Sequence, residues 1–276
     1  MDKNIQIIKA SGQIERFDVE KVALSLQKAG TEKQLAENIA KEVEKRVRNR
    51  MTTNEIYRLA FSLLKEKEKS LAARYSLKKA IFQLGPKGYP FEKFIGKLLE
   101  RRGYQVQVGQ IVQGKCVKHE IDVIAEKEGE HLLVECKFHN DQGIRSDVKI
   151  ALYVKSRFDD VQAGLHLAHK DVFHQIWLVT NTKVTEDAAQ YARCEGVKVI
   201  AWNYPRGESL QEIIESSGLH PLTCLPALSL KQKQEILSRG VVLCRELAEN
   251  PDILSQIGIK EFKKQQIISD IYQICP

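Results

Sequence analysis

Two carboxylates and one ammonium group lie in two neighbouring apolar stretches of this sequence. Asp122 falls within residues 121–124, and Glu135 and Lys137 fall within residues 132–138. Both stretches are rich in apolar and β-branched residues and are joined by a polar segment, a pattern that favours a β-hairpin. Because side chains alternate along a strand, Glu135 and Lys137 point to the same face, and Asp122 can lie on that face from the adjacent strand. The hairpin therefore gathers three charges on an otherwise apolar sheet.

Such charges are costly to bury unless something compensates them, and a divalent cation would do so. Mg²⁺ prefers carboxylate oxygens and keeps several waters, so Asp122, Glu135 and the backbone carbonyl of Cys136 would form a metal site open to a phosphate. Lys137 could orient a water or stabilise developing negative charge, and Glu92 could act from the outer coordination sphere or as a ligand of a second metal ion. The alternative is an exposed ion pair between Glu135 and Lys137 beside a solvated Asp122, because the E-x-K spacing alone is common.

The elements around these residues alternate between helix and strand. Apolar periodicity predicts helices at residues 91–102, 147–165, 185–194 and 209–214, and strands at residues 104–108, 120–125, 132–138, 173–180 and 197–202. Strands separated by helices of this length favour an α/β sheet with parallel pairing in its second half.

This arrangement resembles the PD-(D/E)-x-K nuclease superfamily, and within it the Mrr-like restriction endonucleases, over about residues 88–205. The matching segments are Phe91-Glu92, Ile121-Asp122-Val123-Ile124 and Val134-Glu135-Cys136-Lys137. The resemblance implies that Asp122, Glu135 and Lys137 are catalytic and that Glu92 is the helix carboxylate. It also implies Mg²⁺ or Mn²⁺ as cofactor and DNA as substrate. The sequence departs from the family pattern in that Ile121 replaces the proline of the Pro-Asp dipeptide, and Glu135 replaces the glutamine found in many Mrr-like proteins.

Residues 1–85 have a different character from the rest of the chain. They carry 18 Lys and Arg against 11 Asp and Glu, which accounts for the whole net charge of +7, so an anionic partner is expected for this part. Helical periodicity follows a short extended stretch at residues 5–9 and a turn at Ser11-Gly12. The pattern predicts a mainly helical domain with a small N-terminal hairpin, in which Thr31 and Thr53 stand at helix N-cap positions.

The segment from Ile7 to Lys21 is similar to the opening of the ATP-cone, a nucleotide-binding regulatory domain. The resemblance spans about residues 3–85 and implies that ATP or dATP is an allosteric ligand. The residues that it assigns to nucleotide binding are Lys9, Gly12, Glu15, Phe17, Lys21 and Thr53. Two lysines on either side of a glycine turn can meet phosphates as point charges, and Phe17 can cover a base. The alternative is a helical domain that serves only dimerisation or DNA contact.

Two boundaries divide the chain. Two glycines and two prolines within residues 85–90 mark the end of the first domain, and residues 219–276 continue as helices only. We therefore predict an ATP-cone-like domain at 1–85, a restriction-endonuclease-like domain at 86–218 and a helical C-terminal region at 219–276. The expected fold class is multidomain: an N-terminal domain rich in helix, an α/β core with a mixed sheet flanked by helices, and the helical region. That last region is a dimerisation element or, on a weaker signal, a helix-hairpin-helix.

Composition restricts the possible function classes. The 276 residues are 43% hydrophobic and 29% charged, and no apolar run approaches the roughly 18 residues that span a bilayer. The N-terminus has no secretory signal, and six cysteines occur without a C-x-x-C pair, which argues against a zinc ribbon. We expect a cytoplasmic protein with reduced thiols and no membrane partner.

These patterns together predict a metal-dependent DNA endonuclease, regulated by a nucleotide effector and active as a homodimer. A DNA-binding module that does not cleave and a nucleotide-responsive transcriptional regulator are the alternatives. The sequence leaves open which DNA structure is cut, and whether RNA is the substrate.

Overall fold

The computed structural model describes residues 5–9, 12–168 and 173–274. The chain divides into two compact units. The first contains residues 1–80, 220–233 and 244–276, and the second contains residues 81–219 and 234–243. Each unit is described by itself.

The first unit begins with the expected hairpin and a set of helices. Strands β1 (Gln6–Ile8) and β2 (Ile14–Arg16) pair antiparallel. The helices that follow are α1 (Val19–Lys28), α2 (Lys33–Arg46), α3 (Thr53–Lys67), α4 (Lys69–Tyr75) and α5 (Leu77–Phe82). Their apolar faces form one core that includes Leu26, Val43 and Leu64, each with no exposed surface.

The two predicted helix caps are wrong by one residue each. Helix α2 follows Glu32, which makes no capping hydrogen bond, while the Thr31 side chain is buried. Helix α3 is capped by Thr52, whose hydroxyl accepts from the backbone N–H of Glu55 while the Glu55 carboxylate accepts from the backbone N–H of Thr52. Adjacent threonines offer the same cap chemistry, and the reciprocal bond to Glu55, three residues on, selects Thr52.

Helices near the C-terminus also contribute to the first unit. The chain there forms a 3₁₀ turn (Leu222–Cys224) and helices α10 (Leu230–Ser238), α11 (Cys244–Glu249), α12 (Asp252–Gln256) and α13 (Glu261–Ile274). The Thr223 hydroxyl donates to the Ala80 carbonyl at 2.7 Å, and Arg74 Nε donates to the Ile274 carbonyl at 3.3 Å. Residues 219–276 are thus distributed over both units, and the domain bounds given above remain a prediction.

The second unit is built on a mixed five-stranded sheet. Its strands are β3 (Gln105–Gln113), β4 (Lys118–Lys127), β5 (Glu130–Lys137), β7 (Gln175–Thr180) and β9 (Val197–Ile200), in the order β3-β4-β5-β7-β9. The first three pair antiparallel, and β5, β7 and β9 pair parallel. The parallel pairing predicted for the second half of the sheet is confirmed. A separate parallel pair joins β6 (Arg145–Ser146) to β8 (Lys183–Val184).

Helices cover both faces of this sheet. Helix α6 (Tyr89–Arg101) brings Gly96 against the side chains of Val106 and Val108 on one face. Val108 pairs with Val123 of β4, and Val123 pairs with Val134 of β5. Because directly paired residues point to the same face of a sheet, Val134 also lies on the face that α6 covers.

The neighbouring Leu133 points to the other face, where it packs in a core with Val154 and Val161 of helix α7 (Val148–Leu167). Helices α8 (Glu186–Cys194) and α9 (Leu210–Ser217) complete the unit. The predicted α/β core with a mixed sheet flanked by helices is confirmed.

Among the helices that the structure describes, none combines the length and the apolar character needed to cross a membrane.

Candidate active site

Strands β4 and β5 separate at the residues predicted to be catalytic. Their antiparallel register runs from Lys127 paired with Glu130 to Val123 paired with Val134, and the next position would pair Asp122 with Glu135. There the carboxylate of Asp122 accepts the backbone N–H of Cys136 at 2.6 Å. A side chain thus replaces the ladder hydrogen bond, and Asp122 is fixed beside Glu135.

A local irregularity in β4 turns Asp122 toward this position. Ile121 and Ile124 both pack in the core beneath α7, although strict alternation would place residues three apart on opposite faces. The register with β3 omits the pair of Gly109 and Asp122, and Gly109 has a φ of 67°. The pairs on either side of this position keep one register, so neither strand carries an extra residue, and the irregularity is a local break in side-chain alternation where Gly109 stands opposite Asp122.

Glu135 is paired with an arginine of α7. The Arg157 guanidinium forms an ion pair with the Glu135 carboxylate, and both side chains are 13% exposed. The same guanidinium donates to the Glu120 carbonyl at 3.1 Å and to the Tyr153 hydroxyl, and its Cζ lies 4.7 Å from the centre of the Tyr153 ring. Its buried Nε has no hydrogen-bond acceptor within the described part of the chain. Arg157 therefore compensates part of the negative charge at this site and retains one donor without an acceptor.

Burial and mutual repulsion raise the pKa values of three carboxyl groups. Burial, together with the nearby carboxylates of Asp122 and Glu120, raises the pKa of Glu92 to about 7. Burial also raises the pKa of Glu135 to about 7, with Asp122 adding to the effect and Arg157 opposing it. The pKa of Asp122 is raised by burial, although its hydrogen bond from Cys136 acts in the opposite direction. The cluster therefore holds more negative charge than its surroundings satisfy.

The metal-free protein should lose stability as the pH rises from about 4.5 to above 7. A carboxyl group whose pKa is about 7 when folded and 4.5 when unfolded binds more protons in the folded state over this interval, so raising the pH favours unfolding. Glu92→Gln removes one such group and should flatten the dependence. Urea unfolding in EDTA between pH 5 and pH 8, followed by tryptophan fluorescence, measures it, since Trp177 and Trp202 both lie in the second unit.

Glu100→Gln is the matched control, because Glu100 lies on the same helix and pairs with Lys97. Identical pH dependence in the wild type and in Glu92→Gln would contradict the raised pKa of Glu92.

Lys137 is the last residue of β5, and its side chain is exposed. Its positive charge acts on both Asp122 and Glu135, lowering their pKa values. Glu92, in the first turn of α6, is close enough for its charge to raise the pKa of Glu135. The structure thus brings together the four side chains that the sequence singles out, Glu92, Asp122, Glu135 and Lys137.

The donor set fits a hard divalent cation. It consists of carboxylate oxygens and backbone carbonyls, which Mg²⁺ and Mn²⁺ prefer. The Glu92 carboxylate has no hydrogen-bond or ion-pair partner among the residues described. Burial raises the pKa of the Cys136 thiol well above its usual value, so the sulfur remains protonated and is no ligand for a soft metal.

In the described ranges no three His, Cys, Asp or Glu side chains form a cluster that could hold a metal by themselves. An ion here would take two carboxylates, the Cys136 carbonyl and water.

Sequence reasoning missed Arg157, Tyr153 and Glu120. The first two lie one turn apart on α7, whose pattern had indicated only an apolar face. The available signal was an arginine and a tyrosine four residues apart on a helix that connects two parallel strands. The ion pair between Arg157 and Glu135 could be recognised only from the three-dimensional structure.

The residues assigned to nucleotide binding lie around the hairpin of the first unit. Lys9 and Lys21 both form ion pairs with Glu15, at 2.5 Å and 3.7 Å, and these lysines lower the pKa of the Glu15 carboxyl. Gly12, with a φ of 81°, donates its N–H to the Lys9 carbonyl in the turn.

Ala10 and Ser11 of that turn lie outside the described residues. Phe17 packs against the helical core, and Thr53 is the first residue of α3. Lys9 and Lys21 therefore lie close together near the turn, as nucleotide binding would require. Phe17 packs on the helical core, and its predicted contact with a base stays a prediction.

Comparison with known proteins agrees with this organisation. The ATP cone domain family matches residues 5–81, a restriction endonuclease family (Mrr catalytic domain) matches residues 86–206, and the AF1548-like C-terminal family matches residues 220–275. An uncharacterized protein of Archaeoglobus fulgidus is 37% identical over 181 residues, which are 65% of this chain and 99% of that protein.

Two solved structures are also similar. The crystal structure of AF1548, a protein of unknown function, is 36% identical and has a TM-score of 0.57, covering 68% of this chain and 98% of that one. Can2 from Sulfobacillus thermosulfidooxidans, in complex with cyclic tetra-adenylate, is 11% identical with a TM-score of 0.31 over 68% of this chain and 60% of that one.

The fold and the families define a multidomain protein with an ATP-cone domain followed by an Mrr-type restriction endonuclease domain. The chain belongs to the AF1548-like family. This domain content points to a nuclease with a nucleotide-binding domain.

Proposed function

We propose that this protein is a Mg²⁺- or Mn²⁺-dependent DNA endonuclease of the PD-(D/E)-x-K type, regulated by ATP or dATP. The observation that carries the proposal is the convergence of Asp122, Glu135 and Lys137 where β4 and β5 separate, inside a restriction endonuclease domain. The raised pKa values of Asp122 and Glu135 indicate a site that lacks a compensating cation.

Each residue then has a role that follows from its position. Asp122, Glu135 and the Cys136 carbonyl would hold the metal ion, and Glu92 would act from the outer coordination sphere or on a second ion. When bound, such an ion lowers the pKa of a bound water and neutralises negative charge at phosphorus. Lys137 lies beside the two carboxylates, where its ammonium group can orient the attacking water or stabilise the charge that develops on the phosphate. Each site acts on one phosphodiester bond, so cutting both strands would require two protomers.

The test is a cleavage panel with the full chain. Supercoiled, linear, single-stranded, nicked and branched DNA, together with RNA, are incubated in Mg²⁺, Mn²⁺ or EDTA, with and without ATP or dATP. We expect cleavage of at least one DNA substrate in metal and none in EDTA, with a rate that changes when nucleotide is added. Cleavage of none of the DNA substrates under any metal condition would overturn the proposal, and cleavage of RNA alone would replace the substrate class.

Nucleotide binding should depend on Lys21. Lys21→Ala removes a phosphate-binding charge beside the hairpin turn and should weaken ATP affinity about tenfold, the magnitude of one charge-assisted hydrogen bond. Isothermal calorimetry of the full chain with ATP and with dATP measures this. Lys33→Ala is the matched control, because both lysines are exposed members of the same unit that form ion pairs with glutamates. Equal affinities for the wild type and Lys21→Ala would remove this lysine from the nucleotide site.

One observation favours a second candidate, a DNA-binding module that does not cleave. Glu135, a metal ligand in the nuclease proposal, is ion-paired with Arg157. If this pair persists in the presence of metal, the site binds DNA without hydrolysing it. Binding of DNA and of Mn²⁺ without cleavage in the panel would support this candidate over the nuclease.

A further inference from the structure

A cavity with a basic lining lies at the start of α6 in the second unit. Its volume is about 500 Å³, and its walls are formed by some of the residues between Leu84 and Lys93 and between Gln234 and Gly240. All of these residues belong to the second unit. The second wall lies within the segment matched by the AF1548-like C-terminal family.

The lining favours an anion. It includes Lys87, Lys93 and Arg239 and, among its described residues, no carboxylate. In the described part of the chain neither Lys87 nor Lys93 forms an ion pair with an acidic side chain. Arg239 lies 3.3 Å from Glu235 in an exposed pair, an arrangement that contributes little and yields readily to a phosphate.

The cavity is held open by specific contacts. The Gln234 side-chain amide donates to the carbonyls of Gln83 and Gly85, both at 2.9 Å, which ties the C-terminal segment to the chain before α6. Lys93 Nζ lies 5.4 Å from the centre of the Tyr89 ring, and a Cβ on Gly240 would lie 2.7 Å from the same nitrogen. The glycine therefore leaves the space that the ammonium group occupies, and the half-exposed Tyr89 keeps it at the rim.

The cavity and the candidate active site both include residues at the start of α6. Lys93 directly follows Glu92 on α6, and a Cβ on Gly88 would lie 3.1 Å from the Glu92 carboxylate. Its volume lies in the range of ligand sites and far exceeds that of one phosphate group. A strand whose scissile phosphate lies at Asp122 and Glu135 would bring a neighbouring phosphate toward these cations.

We propose that this cavity binds backbone phosphates of the DNA that flank the bond cut at the candidate active site, with residues 234–240 supplying one wall. The proposal rests on the nuclease function proposed above and extends it by assigning the C-terminal segment a part in substrate binding.

The test is DNA binding by the full-length double variant Lys87→Gln/Arg239→Gln, measured by fluorescence anisotropy in EDTA over a series of salt concentrations. Each lost phosphate contact lowers the slope of log affinity against log salt by about 0.9, so the double variant should lose about 1.8 and bind on the order of tenfold more weakly. Lys183→Gln/Arg206→Gln is the matched control, since it removes the same charge from exposed positions of the same unit outside the cavity.

The outcomes separate this proposal from the nuclease proposal. Equal slopes for the cavity variant and the wild type, with cleavage intact, would overturn the cavity site and leave the nuclease. An equal loss of slope in both double variants would indicate nonspecific attraction and would also overturn it. Loss of ATP affinity in the cavity variant with unchanged DNA binding would assign the cavity to a free nucleotide and overturn the proposal. A reduced salt slope in the cavity variant, together with a wild type that cleaves no DNA, would support the phosphate site in the cavity and overturn the nuclease proposal.

Discussion

Arg157→Met should destabilise the metal-free protein and strengthen its binding of Mn²⁺. In the metal-free state the guanidinium neutralises Glu135, and removing one partner of a mostly buried ion pair leaves an uncompensated carboxylate. At pH 8 this should cost about 3 kcal/mol of unfolding free energy, and less at pH 6, where Glu135 can be protonated. The same change removes a positive charge that repels a metal ion, so Mn²⁺ affinity should rise on the order of tenfold.

Urea unfolding in EDTA and calorimetric titration with Mn²⁺ at pH 8 measure the two effects. Arg193→Met is the matched control, because Arg193 is an exposed arginine of the same unit that donates to a tyrosine hydroxyl, that of Tyr204. Weaker Mn²⁺ binding by Arg157→Met would contradict this prediction. It would show that the arginine positions the carboxylate ligands and does not compete with the metal ion for Glu135. Arg157→Lys, which keeps the charge, should fall between the wild type and the methionine variant in both measurements.

Gly164→Ala should destabilise the second unit by about 3 kcal/mol or prevent its folding. A Cβ at this position would lie 2.6 to 2.8 Å from backbone atoms of Gln113, Gly114 and Lys115, and backbone in a packed turn cannot move aside cheaply. The contact matters to the site because α7 also holds this turn through Asp160, which accepts the N–H of Cys116 at 2.9 Å and binds His119 at 2.8 Å. The turn leads directly into β4 and Asp122.

Gly96→Ala is a graded comparison for this prediction. Its Cβ would meet only the side chains of Val106 and Val108, both at 3.2 Å, and these can shift slightly. Alanine also gains about 1 kcal/mol of helix propensity over glycine, so the net change should be within about 1 kcal/mol. Chemical unfolding followed by tryptophan fluorescence compares the two variants. Equal effects at both positions would mean that the close packing of α7 on the turn does not determine stability.

The candidate site was largely visible in the sequence because its members are local. Asp122, Glu135 and Lys137 lie in one hairpin, where alternation and apolar context distinguish a functional charge from a solvated one. The parallel half of the sheet was equally accessible, since strands and helices of suitable length alternate there.

What the sequence could not show depends on contacts between distant segments. Arg157 reaches Glu135 only because α7 packs across the sheet, and the break in alternation at Asp122 shows no local signal apart from Gly109 on the neighbouring strand. The helices of residues 219–276 were predicted, but their distribution over two units depends on contacts such as that of Thr223 with Ala80, 143 residues away. Propensity and periodicity carry no information about such pairings.

The central claim is that three side chains, at the point where two strands diverge, hold a metal ion and hydrolyse DNA. Its most direct test is the single-turnover cleavage rate of a labelled DNA substrate in Mg²⁺ for the wild type, Asp122→Ala, Lys137→Ala and the control Lys149→Ala, an exposed lysine on α7. We predict that the first two variants lose at least about a hundredfold in rate, the magnitude of removing one electrostatic or general acid–base contribution, and that the control keeps wild-type activity. Cleavage at the wild-type rate by both Asp122→Ala and Lys137→Ala would contradict the account.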